Sequence, residues 1–191
     1  MSSPYESRFW MKSWDPNVKD LDPKEFETTY PEFVKPIFEK YPNTMALAYQ
    51  GLEMTFEDLN RHSNKFANML IEHGFKKGDA VGINLPNIPE YLYSVVGTLK
   101  AGCIVSGVSP LMSDVQMQYQ LDDLGKSGNK VGLVTLDAIF EHRLKKIAPS
   151  LTQLEVVVAT SVVGSFPKEQ QEKIKAVQDI PEGVVTPLEG K

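Results

Sequence analysis

The chain has a single cysteine, Cys103, among its 191 residues, so no disulfide can close within it. Cys103 sits in an apolar, strand-like run, and a packed free thiol is the expectation there. No stretch approaches the roughly 18 apolar residues that a membrane-crossing helix needs. The opening MSSPYESRFWMKSWDP places charges and two tryptophans where a signal peptide requires an apolar core, which points to a cytoplasmic protein. Basic residues are also short: 20 Lys and Arg stand against 25 Asp and Glu, a net charge of -5. Without a clustered basic stripe there is no surface for nucleic-acid phosphates.

The usual chemical signatures are missing too. No G-x-G-x-x-G follows a strand, so a dinucleotide fingerprint is absent. G-x-S-x-G is absent as well: Ser109 fails because Leu111 stands where the second glycine belongs. His62, His73 and His142 have no i, i+4 partner and no cysteine at zinc spacing, which leaves a metal site without support. Gly125-Lys126-Ser127 looks like the end of a phosphate loop, but Gln120 occupies the first glycine position and the tripeptide follows a helix instead of opening one. A helix end explains it. The pairs Asp122-Asp123 and Glu25/Glu27 run along solvated segments, and adjacent helical residues do not face each other. The sequence therefore nominates no catalytic, cofactor-binding or metal-ligating residue.

What is present is ordinary globular composition, 41% hydrophobic and 24% charged, in a chain long enough to bury about 70% of its unfolded surface. The clearest stretch is Gly78 to Pro110. Ala80–Leu85 is short, apolar and β-compatible, and it stops at Pro86-Asn87. Asn87 is placed as an N-cap, with Pro89 in the first turn and Glu90 reaching back as in a capping box. The helix from Ile88 to Leu99 carries Tyr91, Leu92, Tyr93, Val95, Val96 and Leu99, so most of its circumference avoids water. Gly97 costs it about 1 kcal/mol relative to Ala, which predicts another backbone packed against it. Lys100 and Gly102 close the helix, and Cys103–Val108 is a second strand. Two strands joined so tightly by a helix are expected to lie parallel.

Taken in order, residues 1–28 form an aromatic-rich arm with Tyr5, Phe9, Trp10 and Trp14 among charges and no regular element; docking on its own domain is the expected fate of those rings. Thr29 caps a helix with Phe33, Ile37 and Phe38 as its apolar side and Pro36 as a weak point. Met45–Tyr49 and Leu52–Met54 form a hairpin around Gln50-Gly51. A helix follows from Thr55 with Phe56, Leu59, Ser63, Phe66, Ala67 and Leu70 inward, and Asn60, Arg61, Lys65 and Glu72 outward. Ser113 and Gln116 open another helix, then come a strand Val131–Thr135, a helix Asp137–Ile147, a strand Leu154–Ala159 and an amphipathic segment 167–177. This alternation predicts an α/β fold, a mainly parallel sheet covered by helices on both faces with a small N-terminal hairpin. Residues 29–178 make up the domain, and 179–191 form a connector, ending Glu189-Gly190-Lys191 without a closing element, towards a missing remainder.

Five stretches in order carry a family resemblance: Met54-Thr-Phe-Glu-Asp-Leu59, Gly74-Phe-Lys-Lys-Gly-Asp79, Leu85-Pro-Asn-Ile-Pro-Glu-Tyr91, Leu99-Lys-Ala-Gly102 and Ser109-Pro-Leu111. Over about half the chain they resemble the N-terminal region of the acyl-adenylate-forming enzymes. The arm Arg8-Phe-Trp-Met-Lys-Ser-Trp14 is similar to the extension of medium- and long-chain fatty-acid–CoA ligases. The resemblance implies a parent ligase that converts a fatty acid and ATP, with magnesium, to an acyl-adenylate and passes the acyl group to coenzyme A. The family's phosphate loop, nucleotide motifs and catalytic lysine would lie beyond Lys191, so none of these cofactors is expected to bind this fragment tightly and the fragment is expected to be inactive. A weak peripheral membrane contact and a homodimer through the arm fit that picture. Other readings stay open: an aryl-CoA ligase, a luciferase-like enzyme, an adenylation domain, or a free-standing binding or oligomerisation module.

Overall fold

The computed structural model describes residue 3 and residues 5–188, so Pro4 and the closing Glu189-Gly190-Lys191 lie outside the described residues. Helix α1 spans Tyr30–Lys40, and the hairpin consists of β1, Met45–Tyr49, and β2, Leu52–Thr55. Gln50 and Gly51 both have positive φ, 47° and 83°, which is the primed turn whose twist suits adjacent antiparallel strands. Next come α2, Phe56–Glu72; β3, Ala80–Asn84; α3, Pro89–Lys100; β4, Ile104–Gly107; and α4, Asp114–Gly125. Strand β5, Val131–Leu136, leads into a helical stretch of α5, Asp137–Ile139, a π-helical turn Phe140–Leu144 and α6, Lys145–Ile147. Strand β6, Leu154–Thr160, and α7, Lys168–Val177, complete the order.

Strands β4-β3-β5-β6 form one sheet, parallel throughout. Alternating residues send side chains to opposite faces. Val81 and Ile83 of β3 and Val134 of β5 pack with Phe66 and Leu70 of α2, while Val131 and Leu133 of β5 pack with Met117 and Leu121 of α4 and with Phe140 and Leu144. Both faces are thus covered, as the alternation of elements requires.

The helix starts are local decisions. Thr55 Oγ1 accepts from the Asp58 amide at 3.2 Å while Asp58 accepts from the Thr55 amide at 3.2 Å, and the same reciprocal box forms at Thr29/Glu32 and Ser113/Gln116. The expected box at Asn87 does not form. Ile88 is the N-cap, α3 begins at Pro89, and the Glu90 side chain turns inward to a partner 75 residues away. Along α1, Val34 and Phe38 are the buried pair, one turn apart, whereas Phe33 is 61% exposed; the helix rotates to set Val34 and Phe38 against Leu59 and Val96. The arm contains two short 3-10 turns, Phe9–Ser13 and Pro23–Phe26, neither with a buried residue. Within it Tyr5 packs on Trp10 at 5.9 Å and Phe9 on Trp10 at 5.4 Å, and Trp10 and Trp14 are half-buried.

Gly97 is the tightest point between α2 and α3. A Cβ built there would lie 2.6 Å from the Ser63 carbonyl oxygen and 2.9 Å from Phe66, which is the close backbone approach the sequence implied. Gly97→Ala is therefore expected to lose stability despite alanine's better helix propensity: overpacking of about 1–3 kcal/mol outweighs a propensity gain of about 1 kcal/mol. A lowered urea midpoint with an unchanged slope checks this.

Candidate functional site

In a parallel α/β sheet, a crevice opens outside the carboxyl ends of two neighbouring strands whose outgoing helices turn to opposite sides. Here those strands are β3, which leads to β4, and β5, which leads to β6 on the other edge. The residues at that point are polar and closed to water. Asn84 ends β3 and Thr135 lies opposite it on β5; both are 0% exposed. Thr135 Oγ1 donates to Asn84 Oδ1 at 2.8 Å, and Asn84 Nδ2 donates to the Val108 carbonyl at 3.1 Å. One side-chain amide therefore ties the ends of three neighbouring stretches together.

Glu90 lies on the first turn of α3 and is 2% exposed. Its Oε1 accepts from Ser165 Oγ at 2.6 Å, in the turn that follows β6. Its Oε2 has no hydrogen-bond partner among the described residues. Burial pushes the Glu90 carboxyl above its usual range, and the hydrogen bond from Ser165 offsets only part of that. Burial, with the Glu90 charge nearby, also raises the Tyr93 and Tyr49 phenols. Tyr49 of the hairpin meets Phe166 at 5.8 Å between ring centroids. The 161–166 turn is thus held to α3 through Glu90 and to the hairpin through Tyr49.

The residues weighed from sequence lie elsewhere. Lys126 follows the end of α4, exposed and paired with Asp123 at 2.5 Å, and Gly125 packs against Gln153. The Gly125-Lys126-Ser127 run is a helix end, far from any strand-to-helix loop. Ser109 Oγ accepts from the Leu111 amide. His62 stacks on Tyr93 at 5.3 Å, and desolvation lowers its pKa; His73 Nδ1 lies 2.8 Å from the Met69 carbonyl oxygen. His142 is exposed within the π-helical turn. Glu25 and Glu27 are exposed, as is Asp122. Cys103 is buried, its thiol pushed up to about 11 by burial and 3.6 Å from the Lys76 carbonyl. Among the described residues no group of three His, Cys, Asp or Glu is placed to hold a metal ion.

Sequence reasoning passed over Asn84, Thr135 and Asp79. Asp79 is 2% exposed; its carboxylate accepts from the Lys76 amide at 2.8 Å and the Lys130 amide at 3.0 Å. Asn84 and Thr135 gave one usable signal, a polar residue at the end of an apolar strand run. Their partners, 24 and 51 residues away, gave none.

This parallel sheet with buried polar residues at its switch point is an open α/β scaffold, whose ligand-accessible loops lie at the carboxyl ends of the strands. Comparison with known proteins is more specific. The model of the AMP-binding enzyme family matches residues 35–188. The long-chain-fatty-acid–CoA ligase of Bacillus subtilis (strain 168) is 32% identical over 129 residues, 68% of this chain and 22% of that protein. The ligase of the same name from Yersinia pestis is 30% identical over 155 residues, 80% of this chain and 26% of that protein. Among solved structures, an anthranilate CoA ligase in complex with anthranoyl-AMP superposes with a TM-score of 0.66 at 20% identity, covering 86% of this chain and 30% of that one. A putative long-chain-fatty-acid CoA ligase from Rhodopseudomonas palustris does so with a TM-score of 0.63 at 19% identity, covering 70% and 33%. The chain belongs to the AMP-binding enzyme family, the acyl-adenylate-forming superfamily, and corresponds to its N-terminal region. It spans about a quarter of the length of the curated relatives it matches. Among the described residues, no helix is long and apolar enough to cross a membrane.

Two outcomes follow for the crevice. Thr135→Val keeps the shape and removes the donor to Asn84; a buried acceptor left unpaired costs about 1–3 kcal/mol, measurable by chemical denaturation. Glu90 binds its proton more tightly folded than unfolded, so its contribution is fully present below the unfolded value and is lost as pH rises through the raised folded value. Glu90→Gln should abolish that decline and raise the melting temperature at pH 7.5; an unchanged pH profile would show that Glu90 is not the group responsible.

Proposed function

We propose that this chain is the N-terminal part of a fatty-acid–CoA ligase, which activates a fatty acid with ATP and magnesium to an acyl-adenylate and transfers the acyl group to coenzyme A. The observation that carries the reading is the 30–32% identity to long-chain-fatty-acid–CoA ligases over 129 to 155 residues, at coverage of only 22–26% of their length. In this reading residues 29–178 are a scaffold domain, 1–28 an arm and 179–191 a connector. The scaffold contributes no catalytic residue; of the polar groups it buries, Asp79 holds loop and strand amides, Asn84 and Thr135 join two strand ends, and Glu90 holds the 161–166 turn to α3. ATP, magnesium and coenzyme A are held by the rest of the parent protein, which is cytoplasmic. The exposed rings of the arm, Tyr5 and Phe9, suit a contact between two copies, and a long-chain acid would bring the enzyme into weak contact with a membrane surface.

The test is carboxylate-dependent exchange of pyrophosphate into ATP. The full-length parent should show it with medium- or long-chain fatty acids, and the 191-residue chain should show none. Exchange only with aromatic acids would move the assignment to an aryl-CoA ligase, as the likeness to the anthranilate CoA ligase fold allows. Exchange by the short chain alone would refute the division between scaffold and catalytic parts.

A further inference from the structure

Lys100 closes α3 at the junction with α1 and α2, and among the described residues its ammonium group meets no carboxylate. Nζ lies 2.6 Å from Asn60 Oδ1, 2.7 Å from Asn64 Oδ1 and 2.9 Å from Ser63 Oγ, with the Asn60 carbonyl oxygen at 3.4 Å. It also sits 4.8 Å from the centroid of the Phe38 ring. All the oxygens around it are uncharged. Five other lysines, Lys35, Lys126, Lys146, Lys173 and Lys175, each pair with an Asp or Glu; what sets Lys100 apart is the set of neutral side-chain oxygens within hydrogen-bond distance of its Nζ. Lys100 lines an open cleft of about 350 Å³, walled by Pro31 and Phe38 on one side and by Asn60 and Asn64 on the other. The charged groups facing the cleft are Lys35 and Glu39 of α1, themselves 3.9 Å apart; α2 presents only Asn60, Ser63 and Asn64.

We propose that Lys100 is a site of N-acylation by activated acyl groups, the mixed anhydrides and thioesters in which an acyl-adenylate-forming enzyme deals. Nζ attacks the acyl carbonyl carbon and forms an amide bond. The bond from that carbon to the phosphate oxygen or thiol sulfur breaks, the leaving group departs with its electron pair, and the proton lost by Nζ passes to solvent. The cleft supplies both requirements: an amine without a counter-ion and an apolar wall beside it. Partial burial supports this by lowering the pKa of Lys100 to about 8, whereas pairing with Asp123 and Glu182 raises Lys126 and Lys175. At pH 8 about half of such a group is free amine against about 0.3% of an ordinary lysine; weaker intrinsic nucleophilicity takes back most of that gain, and on the order of a tenfold rate advantage remains. The amide product keeps one N–H and no charge, so it cannot serve Asn60, Ser63 and Asn64 together, and acylation would loosen the α2–α3 junction.

The 191-residue chain is incubated with acetyl phosphate, a mixed anhydride, or with acetyl-CoA, a thioester, over pH 7 to 9, and acetylation at each lysine is followed by peptide mass spectrometry. Lys100 should acetylate about tenfold faster than the exposed Lys35 and Lys65 at pH 8, its rate levelling above that pH. The two donors show which source is accepted. A Lys100 rate equal to or below those of Lys35 and Lys65 with both donors overturns the proposal. Asn60→Asp places a carboxylate beside Nζ and should slow Lys100 alone; an unchanged rate overturns the role given to the uncharged cage. Because the acyl donor is supplied, the outcome is independent of whether the parent is a fatty-acid–CoA ligase.

Discussion

A strand paired on both edges and covered on both faces has no water to satisfy its polar ends, and β3 is such a strand. The molecule meets this constraint with one buried side chain at each end. Asp79 takes the amides of Lys76 and Lys130 at the amino end, so the loop before β3 and the start of β5 are held by one carboxylate. Asn84 takes the Thr135 hydroxyl and gives to the Val108 carbonyl at the other, which sets the ends of β3, β4 and β5 in one plane of contact. The register of the parallel ladder follows from these two anchors as well as from the apolar pattern. The loops after β3, β4 and β5 start from strand ends fixed in this way.

Away from the sheet, the fold tolerates two charged side chains without neutralising partners. Glu90 holds the 161–166 turn over α3 with one oxygen unpartnered, and Lys100 holds α3 to α2 through neutral oxygens. Both lie on α3, which approaches α2 closely at Gly97. Burying such groups costs free energy that a paired arrangement would avoid, so these are the joints whose strength changes with protonation or modification. That is a different kind of feature from a catalytic constellation.

Much of this was readable in the chain. The helix starts at Thr29, Thr55 and Ser113 depend on residues three apart, and a helix start is decided within that distance; the cap residue was legible at each, the full reciprocal box at Thr29 only in the structure. The inward face of α2 was readable because its period is a property of the helix itself. Asn87 and Glu90 show the limit. The same local pattern admitted a capping box, but the carboxyl found Ser165 after β6 and left the cap to Ile88. Phe33 shows it again: a larger apolar residue lost the buried position to Val34 because the neighbouring surface, Leu59 and Val96, set the rotation of α1. The outward reading of Asn60 failed for the same reason, since Lys100, forty residues on, turned it into a hydrogen-bonding wall.

By itself the sequence determined the class of fold, the order of strands and helices, the hairpin and its turn, the glycine where α2 and α3 touch, and the motifs that the AMP-binding family shares. Each depends on spacing within one element or on a residue type that only one backbone conformation accepts. Tertiary structure alone decided the joining of Asn84 to Thr135, Asp79 to Lys130, Glu90 to Ser165 and Lys100 to the Asn60 turn. Those partners are 36 to 75 residues apart, and a buried polar side chain has no local periodicity to announce which distant group will satisfy it.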